Sequence, residues 1–203
     1  MNKGNIAVLL SGRGSNFAAI VRASRAAGAN FAVRLAISDR GDAAGLKKAA
    51  RLGIPGHHVD PKTFPDKAAY ETRLCEMLES ERIDLVCLAG YMRLAGPVLL
   101  GRFPGRIMNI HPALLPSFPG LDAQAQALRF GVKVSGCTVH FVDAGMDSGP
   151  IISQKAVALR PDDDLEALKR RILRQEHRLY PQAISLFFAG RLQIAGRAVI
   201  IRP

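Results

Sequence analysis

Apolar positions along this chain come in two rhythms. Short solid runs, such as Asn5 to Leu10 and Ile83 to Ala89, read as strands buried on both faces. Between them lie stretches with apolar residues three and four apart, such as Phe17, Ile20 and Val21, which read as helices packed by one face. Strands are predicted over Phe31 to Ser38, Gly56 to Val59, an apolar run closing at His111, Lys133 to Val142 and Ile151 to Ala158. Helices are predicted from Phe17 toward Gly28, and over Ala43 to Leu52, Thr63 to Arg82 and Leu121 to Phe130. A long helix runs from the acidic start Asp162-Asp163-Asp164 to about Phe188, kinked or closed near Pro181. Leu192 to Ile201 reads as a closing hairpin, and Asp143 to Asp147 as a tight acidic hairpin loop. The alternation predicts an α/β fold over residues 1–203 as a single domain. Its sheet is mostly parallel and twisted, helices cover both faces, and antiparallel strands stand near the C-terminal end.

Composition narrows the class. At 203 residues, 48% hydrophobic and 22% charged, the chain can bury a sizeable core. No apolar run approaches the roughly 20 residues a membrane span needs, and Met1-Asn2-Lys3-Gly4-Asn5 does not resemble a signal peptide. Cys75, Cys87 and Cys137 have neither zinc nor redox spacing and suit a reducing, cytoplasmic setting as small buried residues. The net charge of +11 invites a nucleic-acid reading. The basic residues are scattered, however, and with no Trp and three Tyr there is no stacking platform. A basic cleft for a phosphorylated or carboxylate-rich small molecule accounts for the charge as well.

Two stretches carry candidate chemistry. After the first strand comes Ser11-Gly12-Arg13-Gly14-Ser15-Asn16, then a helix; this aims backbone N–H groups at an anion. It lacks the third glycine of a dinucleotide fingerprint and the Gly-Lys-Ser/Thr of a P-loop, so it suits a single phosphate, or is simply a capped tight turn. The second is Asn109-Ile110-His111-Pro112. Asn109 and His111 share one side of a strand tip, offering an amide donor and a group that exchanges protons near neutral pH. Asp147, in the later loop, is the best candidate for a carboxylate that would complete an acid/base site and raise the His111 pKa; the alternative is a strand-end histidine bonded to backbone. His140, within a strand, reads as structural, and adjacent His57 and His58 as an edge or loop pair. Gly90 to Pro97 reads as a wall for a flat heterocycle or as a helix entry packed on the core.

Together with Leu88-Ala89-Gly90-Tyr91-Met92-Arg93, Leu114-Leu115-Pro116, Val139-His140-Phe141-Val142, Asp147-Ser148-Gly149-Pro150 and Gln175-Glu176-His177, these stretches resemble the phosphoribosylglycinamide formyltransferases over essentially the whole length. The resemblance implies a Rossmann-like formyltransferase fold and transfer of a formyl group from 10-formyltetrahydrofolate, a co-substrate, to the amine of phosphoribosylglycinamide in purine synthesis. It implies Asn109, His111 and Asp147 as the catalytic trio, and no metal. Gly14, Ser15 and Asn16 would take the substrate phosphate, and Glu176 with the preceding Leu173, Arg174 and Gln175 the ribose. Met92, Arg93, Leu94 and Ala95, with Asn109 and with Asp143, Ala144, Gly145, Met146 and Asp147, would hold the folate. Lys67 stands where the family often has an arginine near the folate tail, keeping the charge without the bidentate fork. Asp122-Ala123-Gln124 stands where many members carry histidines. Expected partners are small molecules, with no nucleic acid and no membrane, for a monomer or homodimer. A formyltetrahydrofolate hydrolase and methionyl-tRNA formyltransferase share the trio but usually carry an added domain; a non-catalytic nucleic-acid binder is the remaining alternative.

Overall fold

The structure is a computed structural model and describes residues 3–203. The chain divides into two compact units, Met1–Asn109 and Ile110–Pro203.

In the first unit the strands are β1 (Gly4–Leu10), β2 (Phe31–Ser38), β3 (Gly56–His58), β4 (Leu85–Leu88) and the start of β5 (Ile107–His111). They lie in the order β3-β2-β1-β4-β5, and each neighbouring pair is parallel. The solid apolar runs are explained by this: Ile6 to Leu10 and Leu85 to Cys87 have no solvent-facing side. Each crossover is helical. α1 (Ser15–Ser24) buries Phe17, Ile20 and Val21, and α2 (Ala44–Arg51) buries Gly45 and Ala49. α3 runs over Lys67–Ser80, capped by Asp66, whose carboxylate accepts the Ala69 N–H at 2.8 Å. It starts later than the predicted Thr63, because Pro61–Thr63 forms a separate 3₁₀ turn. His57 and His58 lie exposed on the edge strand β3.

Of the two readings of Gly90 to Pro97, the helix entry holds for its end. α4 (Pro97–Arg102) starts on Pro97, while residues 89–96 form no helix or strand.

In the second unit, β6 (Val134–Phe141) and β7 (Ile151–Ala158) are antiparallel, with a register shift between Val139 and His140 that leaves Ile152 as the extra residue. β9 (Ala198–Ile201) is parallel to β7 and β8 (Leu192–Ala195) antiparallel to β9. The connection between β6 and β7 spans residues 142–150, so the predicted tight hairpin is a long loop. α5 spans Ala123–Phe130, and α6 runs unbroken over Leu165–Phe188 with Pro181 inside it. Leu168, Ile172, Glu176, Tyr180 and Ile184 recur at four-residue intervals as its buried stripe, and this packing carries the helix past the proline.

All three cysteines are buried and free. Burial pushes the Cys75 thiol up to about 11 and the Cys137 thiol up to about 12. Among the described residues no helix is long and apolar enough to cross a membrane.

Candidate active site

His111 ends β5 where Pro112 stops the ladder, and only 4% of it is exposed. Its Nδ1 lies 3.2 Å from Asp147 Oδ2, and its Nε2 lies 2.8 Å from the Phe118 carbonyl. A carbonyl only accepts, so that contact places a proton on Nε2. The second oxygen of Asp147 lies 3.7 Å from His140 Nε2, and Oδ2 also accepts the Gly120 N–H at 2.8 Å. The carboxylate is thus held from three directions, by two imidazoles and a backbone amide.

The loop that delivers Asp147 is built for the purpose. Asp147 has φ +50°, in the left-handed region that Asp tolerates better than most residues. Asp143 Oδ1 accepts the Gly145 N–H at 3.1 Å and the Ser148 hydroxyl at 2.6 Å, which folds the loop on itself. A Cβ on Gly149 would lie 1.9 Å from the Phe141 carbonyl oxygen, so only glycine lets the loop return to β7.

A buried hydroxyl braces the other side. Thr138 Oγ1 donates to the Ala113 carbonyl at 2.7 Å and accepts the Leu115 N–H at 3.1 Å and the Gln154 amide at 3.0 Å. It thereby fixes the segment that leaves His111.

The electrostatics correct one expectation. Burial lowers the His111 pKa, and the Phe118 carbonyl and Asp147 carboxylate offset this only in part. Burial also works to raise Asp147, but the His140 hydrogen bond, the Gly120 amide and His111 together hold it below the usual carboxylate range. His140 lies buried in β6, its Nδ1 2.8 Å from the Phe141 carbonyl, and its Nε2 also faces the Asp147 carboxylate. No local contrast marks His140 out, because every residue of β6 from Ser135 to Phe141 is buried.

Asn109 is half-buried on β5, two residues before His111 and therefore on the same face of the strand.

In the first unit, Gly14 takes φ +64° at the start of α1. A Cβ there would lie 2.7 Å from the Gly45 Cα, so the turn and α2 touch backbone to backbone. Gly45 N–H donates to the Gly12 carbonyl at 2.9 Å and Lys48 Nζ to the Arg13 carbonyl at 2.6 Å. Ser11 bridges to the next strand's loop: its N–H donates to Gly90 and its hydroxyl accepts the Met92 N–H at 2.9 Å. The turn is thus pinned with its N–H groups at the C-terminal end of a parallel strand, the usual place for a ligand in such sheets.

Met92 and Leu94 stay 66% and 52% exposed, and Met146 53%, although each is apolar. In the same segment, the Tyr91 hydroxyl meets that of Tyr70 at 2.6 Å and the Arg93 guanidinium lies 5.4 Å over the Tyr70 ring. Burial raises both phenols, so neither ionises near neutral pH.

On α6 the predicted residues separate. Glu176 is on the buried stripe, whereas Arg174 and Gln175 line an open cavity of about 430 Å³ with Arg160, Arg171 and Arg178. Arg171 there pairs with Asp163 through its two terminal guanidinium nitrogens, which pushes that carboxyl down to about 2.

Residues 4–184 match the formyl transferase family. The chain is 47% identical over 178 residues to a phosphoribosylglycinamide formyltransferase of Bacillus subtilis, covering 88% of this chain and 91% of that one. It is 40% identical over 192 residues to the human trifunctional purine biosynthetic protein adenosine-3, covering 95% of this chain and 19% of that protein. The crystal structure of glycinamide ribonucleotide transformylase 1 from Symbiobacterium toebii superposes with a TM-score of 0.97 at 53% identity, covering 99% and 95% of the two chains. The chain therefore belongs to the phosphoribosylglycinamide formyltransferases within the formyl transferase family.

Proposed function

We propose that this chain moves a formyl group from 10-formyltetrahydrofolate to the amine of phosphoribosylglycinamide, as a step of purine biosynthesis, with Asn109, His111 and Asp147 at the reacting atoms. The observation that carries the reading is the buried His111–Asp147 contact of 3.2 Å at the tip of the strand that also bears Asn109.

The chemistry follows from the groups. The amine attacks the formyl carbon and the carbonyl oxygen gains negative charge; the intermediate then collapses as the bond from the formyl carbon to the folate nitrogen breaks, the attacking nitrogen losing a proton and the folate nitrogen gaining one. Asn109 supplies a neutral donor to the oxyanion. His111 supplies the second. Both its ring nitrogens face acceptors at rest, so it must release one of them to reach the substrate. The Phe118 carbonyl is a neutral partner and the Asp147 carboxylate a charged one, so the Nε2–H is the group that turns to the substrate. The lowered pKa of His111 leaves the ring neutral at rest near neutral pH, so it can take a proton from the amine and pass it on readily. Asp147 compensates the charge on the ring while protons pass from amine to folate through His111 or a water.

The binding roles extend from the same reading. Gly14, Ser15 and Asn16 receive the phosphate on the pinned turn, and Glu176 with Leu173 the ribose. Met92 to Ala95 and Asp143 to Asp147 wall the pterin, and exposed apolar Met92, Leu94 and Met146 support this. Lys67, 47% exposed, faces the folate tail. We further propose that residues 1–203 work as one formyltransferase domain in the cytoplasm.

The test is an absorbance assay with a formyl-folate donor, with and without phosphoribosylglycinamide. Donor consumption that requires the acceptor is the expected result. Formate release without it assigns the chain to the hydrolases instead.

A further inference from the structure

The buried carboxylate of Glu71 has no place in the chemistry above. It lies in the second turn of α3, and its side chain is 3% exposed. One oxygen accepts the Gly96 N–H at 2.5 Å and the other the Leu99 N–H at 3.2 Å. These are the opening amides of α4, whose own N-cap, Gly96, has no side chain to cap with. The cap is therefore supplied from α3, by a charged group, at the end of the helix that favours negative charge.

Lys67 stands one turn earlier on α3, with its Nζ 3.9 Å from Glu71 Oε1. The three residues interlock. A Cβ on Gly96 would lie 2.6 and 2.7 Å from the two carboxylate oxygens and 2.7 Å from the Lys67 Cε. Gly96 has φ −102°, which any residue can adopt, so room for the carboxylate, and not backbone conformation, is what keeps side chains out. Immediately upstream, residues 89–96 have no helix or strand to hold them. Ser11 fixes Met92 at one end, and Glu71 fixes Gly96 at the other.

We propose that Glu71 is a positioning residue for the formyl donor: its buried carboxylate stretches the Met92–Ala95 wall between two anchors and holds Lys67 beside it. The proposal rests on the reading of those residues as donor-binding, and it adds the group that aligns them. Glu71 touches no reacting atom, so its loss should fall on donor binding and leave the chemical step.

The decisive measurement compares wild type with Glu71→Gln, Gly96→Ala and the double variant. Glu71→Gln keeps the shape but loses the charge and one acceptor; Gly96→Ala displaces the carboxylate from the other side. Each should raise the donor KM, and the donor Kd by calorimetry, about 10- to 100-fold, the worth of one charged hydrogen bond. The acceptor KM and kcat should stay within a few-fold. The double variant should be no worse than the poorer single one, because both remove the same contact. Independent, multiplying effects, or equal loss of donor and acceptor binding, overturn the proposal. If the variants fail to fold, Lys67→Met decides: a donor KM that it leaves unchanged overturns the proposal, and a rise confined to donors bearing the glutamate tail supports it. A wild-type protein that binds donor tightly but transfers nothing refutes the functional reading and leaves the Glu71 effect on Kd measurable.

Discussion

Asp147 Oδ2 lies 3.2 Å from His111 Nδ1 on one side and accepts the Gly120 N–H on the other, while its Oδ1 faces His140. One carboxylate thus fixes both the orientation of the imidazole and the loop that covers it. Asp147→Asn keeps the shape and removes the charge. It should lower kcat about 10²- to 10⁴-fold with the acceptor KM within a few-fold, as should His111→Ala. Steady-state kinetics check this, and unchanged turnover in either variant rejects the assigned roles.

The two lowered pKa values set a pH dependence of stability. His111 and Asp147 are both held below their ordinary values of 6.5 and 3.8. The unfolded chain therefore binds more protons on acidification, and stability falls as pH falls. The His111 contribution is intact above pH 6.5 and is lost as pH drops below it; the Asp147 contribution goes only in stronger acid. Melting at about pH 7.5 and about pH 5.5 should show wild type losing more stability than His111→Asn. Parallel losses in the two proteins would contradict this account.

Thr138 offers a test of the scaffold beneath the site. Thr138→Val preserves volume but strips partners from the Ala113 carbonyl and the Leu115 amide, both buried. The cost should be about 2–4 kcal/mol in chemical denaturation, since each stranded group costs about 1–3 kcal/mol. Thr138→Ser, which keeps the hydroxyl, should cost only about 1 kcal/mol for its lost methyl. Equal losses for the two would mean that packing, not hydrogen bonding, holds the segment.

Gly14 is the corresponding test of the phosphate turn. Gly14→Ala meets both a left-handed φ and the Gly45 backbone at 2.7 Å. It should destabilise the fold by about 1–3 kcal/mol. It should also raise the KM for the phosphorylated acceptor well above any change in the KM for the donor. A donor-only effect would remove the turn from the phosphate.

How far these features could be read beforehand depended on how local they are. The parallel strands, the glycine turn and the pairing of the His111 tip with the Asp147 loop were legible, because each is marked by apolar runs or by glycines and prolines within a few residues. What escaped is non-local. His140 faces Asp147, and Glu71 caps a helix whose N-cap is 25 residues away; neither partner has a sequence signature. α4 escaped because its six residues are too few to establish a period. The His111 pKa runs opposite to the expectation because a sequence shows the neighbouring charge but not the depth of burial. Pro181 suggested a break in α6 that burial on a continuous stripe overrides.

Cys75 sits in the first unit and Cys137 in the second, each sealed from solvent and each too weakly acidic to form a thiolate near neutral pH. Native protein should therefore ignore an alkylating reagent, and modification of either sulfur becomes a clock for the opening of its own surroundings. Mass spectrometry of partly labelled chains would then reveal whether the halves melt in concert, carrying both tags or neither, or in succession.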